Sequence, residues 1–485
     1  MKAVLAALAG GIVSVLAFPP YGPGWLVVLG VALFLWALRL ASDRRQGLLI
    51  GAVYGLVFFS GLIWWLAELE LIALLLVPVQ AAFFALYGWW VSRYNDHSPA
   101  VWLAAAVGGW AFMEIFRYRF PVGGFEWGAA GYALSDNIFT RIPAAVIGTT
   151  GLTILIVLIG AVLAQMVTQK ADRSTAIGTG VAVLVLGGSF LWMLMTPTDD
   201  AEPVEQVAIV QGSTPCPFEH CSPNERLRTF EQHLELTKTI PDDSVDLVIW
   251  SEGSTGSTNA DPVLNPEVGA AIAEQARRLN AWFLVGGDRP VSDTEWINAN
   301  VVFNPDGEIV GEYRKQHPVP FGEYIPLRPL FDWIPALDRV PRDQIPGDGP
   351  VVFDTGNYTL GSVISFEGGF SRYSLEHRRS GADIMVVATN EASYGLAPTS
   401  DQFIGMTRMR AVELGVPVIH AAVTGKSTFA DPNGDIFETT GLGTQEIALR
   451  ALGADRETPY TFLGDLVLYL SAVVSVLIWW RARAV

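Results

Sequence analysis

The sequence predicts an α-helical membrane domain of eight spans joined to one α/β domain whose sheets are covered by helices. Three observations carry this. The 485-residue chain is 51% hydrophobic but only 16% charged, with a mean hydropathy of +0.35. The apolar excess lies in residues 1–196 and in one stretch near the C-terminus. Between them, short apolar runs alternate with amphipathic stretches.

Each apolar run long enough for a bilayer core needs about 20 residues as a helix. Seven such runs precede residue 197, at about 3–18, 25–41, 48–67, 70–93, 101–116, 142–168 and 175–196. An eighth covers 461–480. The first is a span rather than a cleaved signal: Phe18-Pro19-Pro20 stands where a small-residue cleavage site belongs. Basic residues in short loops are retained in the cytoplasm. With the N-terminus inside, Lys2, Arg39, Arg44, Arg45, Arg93, Lys170, Arg173, Arg481 and Arg483 fall inside. Only Arg117, Arg119 and Arg141 fall in outer short loops. This places residues 205–455 outside the cytoplasm.

Within 205–455 the strand candidates are 206–211, 245–250, 282–287, 299–303, 351–353, 361–365, 384–389 and 418–422. Several are continuous apolar runs, as strands covered on one or both faces require. Helix candidates are 224–239, 266–279 and 402–414. Asn304-Pro305-Asp306-Gly307 and Asp431-Pro432-Asn433-Gly434 read as turns between strand pairs. Alternating strands and helices over about 250 residues give an α/β domain with its own core. The polar segment 196–203 is the joint between the two domains.

The net charge of −17 makes nucleic acid an unsuitable partner, since phosphate binding needs a basic stripe. The acidity reads as a solvated exterior. Cys216 and Cys221, in Pro-Cys-Pro-Phe-Glu-His-Cys, suit a disulfide outside the cytoplasm. A metal site with His220 is the alternative for this loop, but it crowds three ligands and has no fourth. No metal or organic cofactor is indicated.

Three segments carry candidate chemistry. Val248-Ile249-Trp250-Ser251-Glu252 ends an apolar strand on a carboxylate, and partial desolvation there favours a proton acceptor. Lys315, in Tyr313-Arg314-Lys315-Gln316-His317, offers an ammonium to an oxyanion. Glu323, in Phe321-Gly322-Glu323-Tyr324, can orient that lysine. Ser365 ends the strand candidate 361–365, at the corner where it meets the bend Phe366-Glu367-Gly368-Gly369. Taken singly, each has a bland reading: a loop glutamate, a surface lysine, a buried strand serine, a backbone-bonded Glu367. Their joint order and strand contexts favour one site.

That order of Glu, Lys and corner residue resembles the Glu-Lys-Cys triad of the nitrilase (carbon–nitrogen hydrolase) superfamily. Over nearly the whole chain the sequence resembles its membrane-embedded branch, the apolipoprotein N-acyltransferase family. The membrane half carries Leu16-Ala17-Phe18-Pro19-Pro20-Tyr21, Met113-Glu114-Ile115-Phe116-Arg117 and Gly124-Phe125-Glu126-Trp127. The outer half carries the 315–327 loop, Asn390-Glu391-Ala392-Ser393-Tyr394-Gly395 and Arg408–Gly415. The resemblance implies a nitrilase-type αββα sandwich outside a bacterial inner membrane. It implies acyl transfer from a membrane phospholipid to the α-amine of a diacylglyceryl-cysteine at the N-terminus of an apolipoprotein. It implies Glu252 as base, Lys315 as oxyanion stabiliser and position 365 as nucleophile, with Glu323, Phe366 and Glu367 supporting.

Three departures stand out. Glu126 replaces the family's Pro, Phe366 replaces a Tyr, and Ser365 replaces the nucleophilic Cys. A thiol ionises near ~8.5, whereas a serine hydroxyl needs a strong adjacent base. Slow or absent turnover is therefore expected, whether the serine is a native divergence or a replacement. The alternative function is a divergent homologue that binds lipid or lipoprotein without turnover. A membrane-tethered amidase is a third reading, disfavoured because one span would suffice as a tether. The apolar loop Phe331–Leu337 reads either as a lid dipping into the interface or as packing on its own domain. Glu114 is either an intramembrane functional group or the partner of Arg117.

Overall fold

The computed structural model describes the chain except for residues 169–171, 198–204, 218–224, 226–227, 258–259, 332, 454 and 484–485. It divides into two compact units, Met1–Pro197 with Thr458–Val485, and Thr198–Glu457. Cys216 is disulfide-bonded; His220, Cys221 and Asp332 lie outside the described residues.

The first unit is helical. Among the described residues, five helices are long and apolar enough to cross a membrane: Arg44–Leu62, Leu71–Tyr94, Pro99–Arg117, Ala144–Thr168 and Arg173–Met195. Three shorter apolar helices are Lys2–Leu16, Leu26–Arg39 and Leu466–Arg481. Between apolar helices in lipid, association depends on close packing rather than on the hydrophobic effect. Gly51 shows this: a Cβ there would lie 2.0 Å from the Phe84 carbonyl oxygen of the neighbouring helix. Glu114 is the partner of Arg117, with Nε to Oε2 at 2.6 Å and both side chains buried. Arg117 Nη1 also donates to the carbonyls of Phe125 (2.8 Å) and Trp127 (2.9 Å). One desolvated guanidinium thus fastens the Gly124-Phe125-Glu126-Trp127 loop to its helix, with the paired carboxylate offsetting its burial.

The second unit is a sandwich of two sheets. The first orders β13-β1-β2-β3-β4-β5, with β6 beside β4. Its strands are β1 (Glu205–Gln211), β2 (Leu247–Trp250), β3 (Trp282–Pro290), β4 (Glu295–Phe303), β5 (Ile309–Arg314), β6 (Asp343–Gln344) and β13 (Glu446–Leu452). The second orders β12-β11-β10-β9-β8-β7. It comprises β7 (Val352–Asp354), β8 (Thr359–Ile364), β9 (Ile384–Thr389), β10 (Val418–Ala422), β11 (Thr428–Ala430) and β12 (Ile436–Phe437).

Strand periodicity divides the core in two. Val207, Ile209, Leu247, Ile249, Leu284 and Val302 face Leu360, Ile364, Val386 and Ile419 of the other sheet. Their alternates, Ala208, Val210, Val248, Trp250, Phe283 and Val301, pack against Ile272, Ala276 and Leu279 of helix Pro266–Leu279. Both faces of the first sheet are therefore apolar, which is why its strands read as unbroken apolar runs. Each fully buried Val, Leu or Ile contributes roughly 1.5–3 kcal/mol against an exposed one. The helix has its limits set locally. Asn265 accepts from the amides of Glu267 and Val268, Pro266 occupies the first turn, and Asn280 ends the helix at φ 51. The αββα layering is completed by helices Ser371–Arg379 and Thr399–Leu414, which flank the second sheet.

Candidate active site

Register places the site residues. Asp288 on β3 is opposite Asn298 on β4. Ala299 is opposite Arg314, so Lys315, one residue past β5, falls opposite Asn298, and its amide donates to the Asn298 carbonyl at 3.0 Å. These positions share the parity of Leu284, Val302 and Tyr313, which point between the sheets. Asp288, Asn298 and Lys315 therefore form one cross-strand row on the inner face. Glu252 follows β2, at the same end of the sheet.

The row is closed by hydrogen bonds. Lys315 Nζ donates to Glu252 Oε1 at 3.3 Å and to Glu323 Oε1 at 2.5 Å, and the lysine is fully buried. Asn298 Nδ2 donates to Glu252 Oε1 at 2.7 Å, and the Asn390 amide to Glu252 Oε2 at 2.8 Å. The Val319 amide donates to Glu323 Oε2 at 2.7 Å. Burial pulls the Lys315 ammonium down, but Glu252 and Glu323 together outweigh it and the net movement is upward. Burial raises Glu323, against the pull of Lys315. Lys315 thus stays cationic, and its charge is available to a developing oxyanion.

Ser365 begins a tight turn at the end of β8, at φ 51. A non-glycine residue in the left-handed region is strained and is held there by its surroundings. The holding group is Glu367. Its Oε1 accepts from the amides of Gln316 (2.5 Å) and His317 (2.8 Å); its Oε2 accepts from the Ile364 amide (2.8 Å) and Tyr313 Oη (2.9 Å). One buried carboxylate therefore ties the serine turn to the segment that follows Lys315. Burial pushes Glu367 up to about 6, against these donors and Lys315. Beneath it, Asn300 of β4 donates to Ser362 of β8 across the two sheets.

The structure thus joins Glu252, Lys315 and Glu323 directly, and brings Ser365 to them through Glu367. Among the described residues nothing is hydrogen-bonded to the Ser365 hydroxyl. His317, the nearest imidazole in sequence, is bonded through Nδ1 to Tyr373 Oη at 2.9 Å. It packs against Phe366 and Phe370, with centroids 5.4 and 4.7 Å away. Burial, then Arg372 and Lys315, bring its pKa down to about 3, so it is neutral. Phe366 therefore forms part of an aromatic wall beside the serine turn.

Residues 206–460, more than half of the chain, match the carbon–nitrogen hydrolase family. The chain belongs to the carbon–nitrogen hydrolase family. Residues 10–162 of this carbon–nitrogen hydrolase match the apolipoprotein N-acyltransferase N-terminal domain. A protein named apolipoprotein N-acyltransferase from Geobacter metallireducens is 28% identical, covering 98% of this chain and 94% of its own. One of the same name from Photobacterium profundum is 25% identical, covering 98% and 93%. An amidase from the nitrilase superfamily of Nesterenkonia AN1 superposes with a TM-score of 0.42 at 16% identity, over 55% of this chain and 96% of its own.

Several residues of this candidate site escaped the sequence reading. Asn298 and Asn300 interrupt an otherwise apolar strand at alternating positions, a signal that two amides face inward together. Asp288 shares that parity. Glu391 accepts from Ser400 Oγ and from Thr389 Oγ1 (3.1 Å), with His420 Nε2 at 3.3 Å. This network anchors the turn that presents the Asn390 amide to Glu252.

Proposed function

We propose that this chain transfers an acyl chain from a membrane phospholipid to the α-amine of the N-terminal diacylglyceryl-cysteine of apolipoproteins. The observation that carries the reading is the buried Lys315 ammonium held between Glu252 and Glu323 and tied through Glu367 to the strained Ser365 turn. In the first half, Ser365 Oγ attacks the ester carbonyl and Glu252 takes its proton. Lys315 stabilises the oxyanion. The ester C–O bond breaks, and the leaving alcohol of the lysophospholipid receives the proton from Glu252. In the second half, the amine attacks the acyl-serine, Glu252 accepts one N–H proton, and that proton returns to Ser365 as its bond to the acyl carbon breaks. Among the described residues no base is hydrogen-bonded to the serine hydroxyl beforehand, so the first half is slow.

The proposed substrates are lipids, and the second unit exposes large apolar side chains suited to them. Phe331, Ile334 and Leu337 pack with Ile325 and Val340 in a small core of their own. Leu327, Leu330, Trp333 and Leu396 are 63–77% exposed. In the proposed arrangement eight spans hold the chain in a bacterial inner membrane, the three shorter helices completing the count. The 205–455 domain lies on the extracytoplasmic side. The test is incubation of the purified protein with phospholipid and a diacylglyceryl-cysteine peptide, read by mass spectrometry. One added acyl chain on the peptide, with lysophospholipid formed in step, is expected. Absence of both products from the protein and from its S365C variant overturns the reading.

A further inference from the structure

The carboxylates around Lys315 are almost all committed. Glu252 uses one oxygen on Lys315 and Asn298 and the other on the Asn390 amide. Glu323 uses its two on Lys315 and the Val319 amide, and Glu367 accepts four donors. Asp288 is different. It stands in the same row, opposite Asn298, yet its Oδ1 is buried and has no hydrogen-bond partner. A buried acceptor without a donor costs about 1–3 kcal/mol, so a site that keeps one is built to receive a donor from elsewhere.

The proposed reaction brings one such donor into this site: the α-ammonium of the acceptor. The other substrate's reacting group is an ester, which has acceptors only. Resting on the acyl-transfer reading above, we infer that Asp288 is the residue that binds the acceptor's α-ammonium and removes its first proton. Charge agrees, since Glu252, Glu323 and Asp288 face a single lysine cation. Burial first, then Glu252 and Glu323, push the Asp288 carboxyl up to about 8, against the pull of Lys315. An N-terminal α-amine ordinarily titrates at about 7.7–8.0, so the two groups exchange a proton at little cost. The step balances. R–NH3+ and the Asp288 carboxylate become R–NH2 and the carboxylic acid. The amine nitrogen then bonds to the acyl carbon as the Ser365 Oγ–carbon bond breaks. A second N–H proton passes through Glu252 to Ser365, the amide keeps the third, and Asp288 returns its proton to solvent.

Binding tests this without turnover. Affinities are measured for two diacylglyceryl-cysteine peptides, one with a free α-amine and one N-acetylated, on the full-length protein, D288N and D288E. The wild type is expected to prefer the free amine by about tenfold or more, as a hydrogen bond to a charged group implies. D288N is expected to bind both peptides alike. D288E, which keeps a carboxylate should the amide variant fold poorly, retains a preference. Equal binding of both peptides by the wild type, or an undiminished preference in D288N, overturns the assignment. Either result leaves acyl-serine formation from phospholipid to be judged on its own, because that half-reaction contains no amine.

Discussion

At the scale of the residue, the proposed reaction makes Ser365 the nucleophile, and Glu367 holds its turn in place. General-base assistance is worth about 10²–10⁴-fold, and among the described residues no base is hydrogen-bonded to the Ser365 hydroxyl. A thiol at the same place ionises by itself. S365C is therefore expected to form the acyl-enzyme about 10²-fold faster or more, measured as intact mass after mixing with phospholipid; an equal or slower rate contradicts the nucleophile assignment. Glu367 makes a pH prediction. Its folded value of about 6 lies above the ordinary 4.5, so the folded state holds this proton more tightly than the unfolded chain. Its contribution to stability is full below about 4.5 and is lost as pH rises through 6, by roughly 2 kcal/mol in all. Thermal unfolding in micelles across pH 4–7 should show this loss in the wild type and not in E367Q. As a cluster, Glu252 and Ser365 were legible because each stands at the end of an apolar strand, and Lys315 and Glu323 because they follow in a fixed order and spacing. Asp288 and Asn298 were not. A polar residue inside a strand reveals its role only when register sets it opposite a partner.

At the scale of the element, β4 is the spine of the site. Asn298 holds Glu252, its carbonyl holds the Lys315 amide, and Asn300 reaches across to β8. N298A would leave a buried carboxylate short of one donor. The expected costs are about 1–3 kcal/mol of stability and a tenfold or greater fall in acyl-enzyme formation. Unchanged rates in N298A would show that Lys315 and the Asn390 amide suffice to place Glu252. Most apolar strands were read correctly, since burial on both faces leaves continuous hydrophobic runs. Those missed have physical reasons. β5 is partly exposed and carries Gly311 within it. β13, Glu-Ile-Ala-Leu-Arg-Ala-Leu, is made of helix formers and becomes a strand only because β1 offers it an antiparallel edge. Helix Ser371–Arg379 buries Leu375 as its one aliphatic side chain, too little for a periodic signal.

At the scale of the molecule, sidedness decides whether the chemistry has substrates. The basic residues Arg39, Arg44, Arg45 and Arg93 cluster between apolar helices, and positive loops stay in the cytoplasm. In the proposed eight-span arrangement, the 205–455 domain falls on the opposite side. The proposed acceptor is an exported lipoprotein, which meets Glu252 and Lys315 only there. A pair of single cysteines separates the two topologies. Asp293 is exposed in the turn between β3 and β4, and Arg45 is exposed at the start of helix Arg44–Leu62. With a membrane-impermeant maleimide on intact spheroplasts, D293C is expected to label at once and R45C only after permeabilisation. The reverse pattern would put the serine turn in the cytoplasm. Glu252 and Lys315 would then lie out of reach of any lipoprotein that has already crossed.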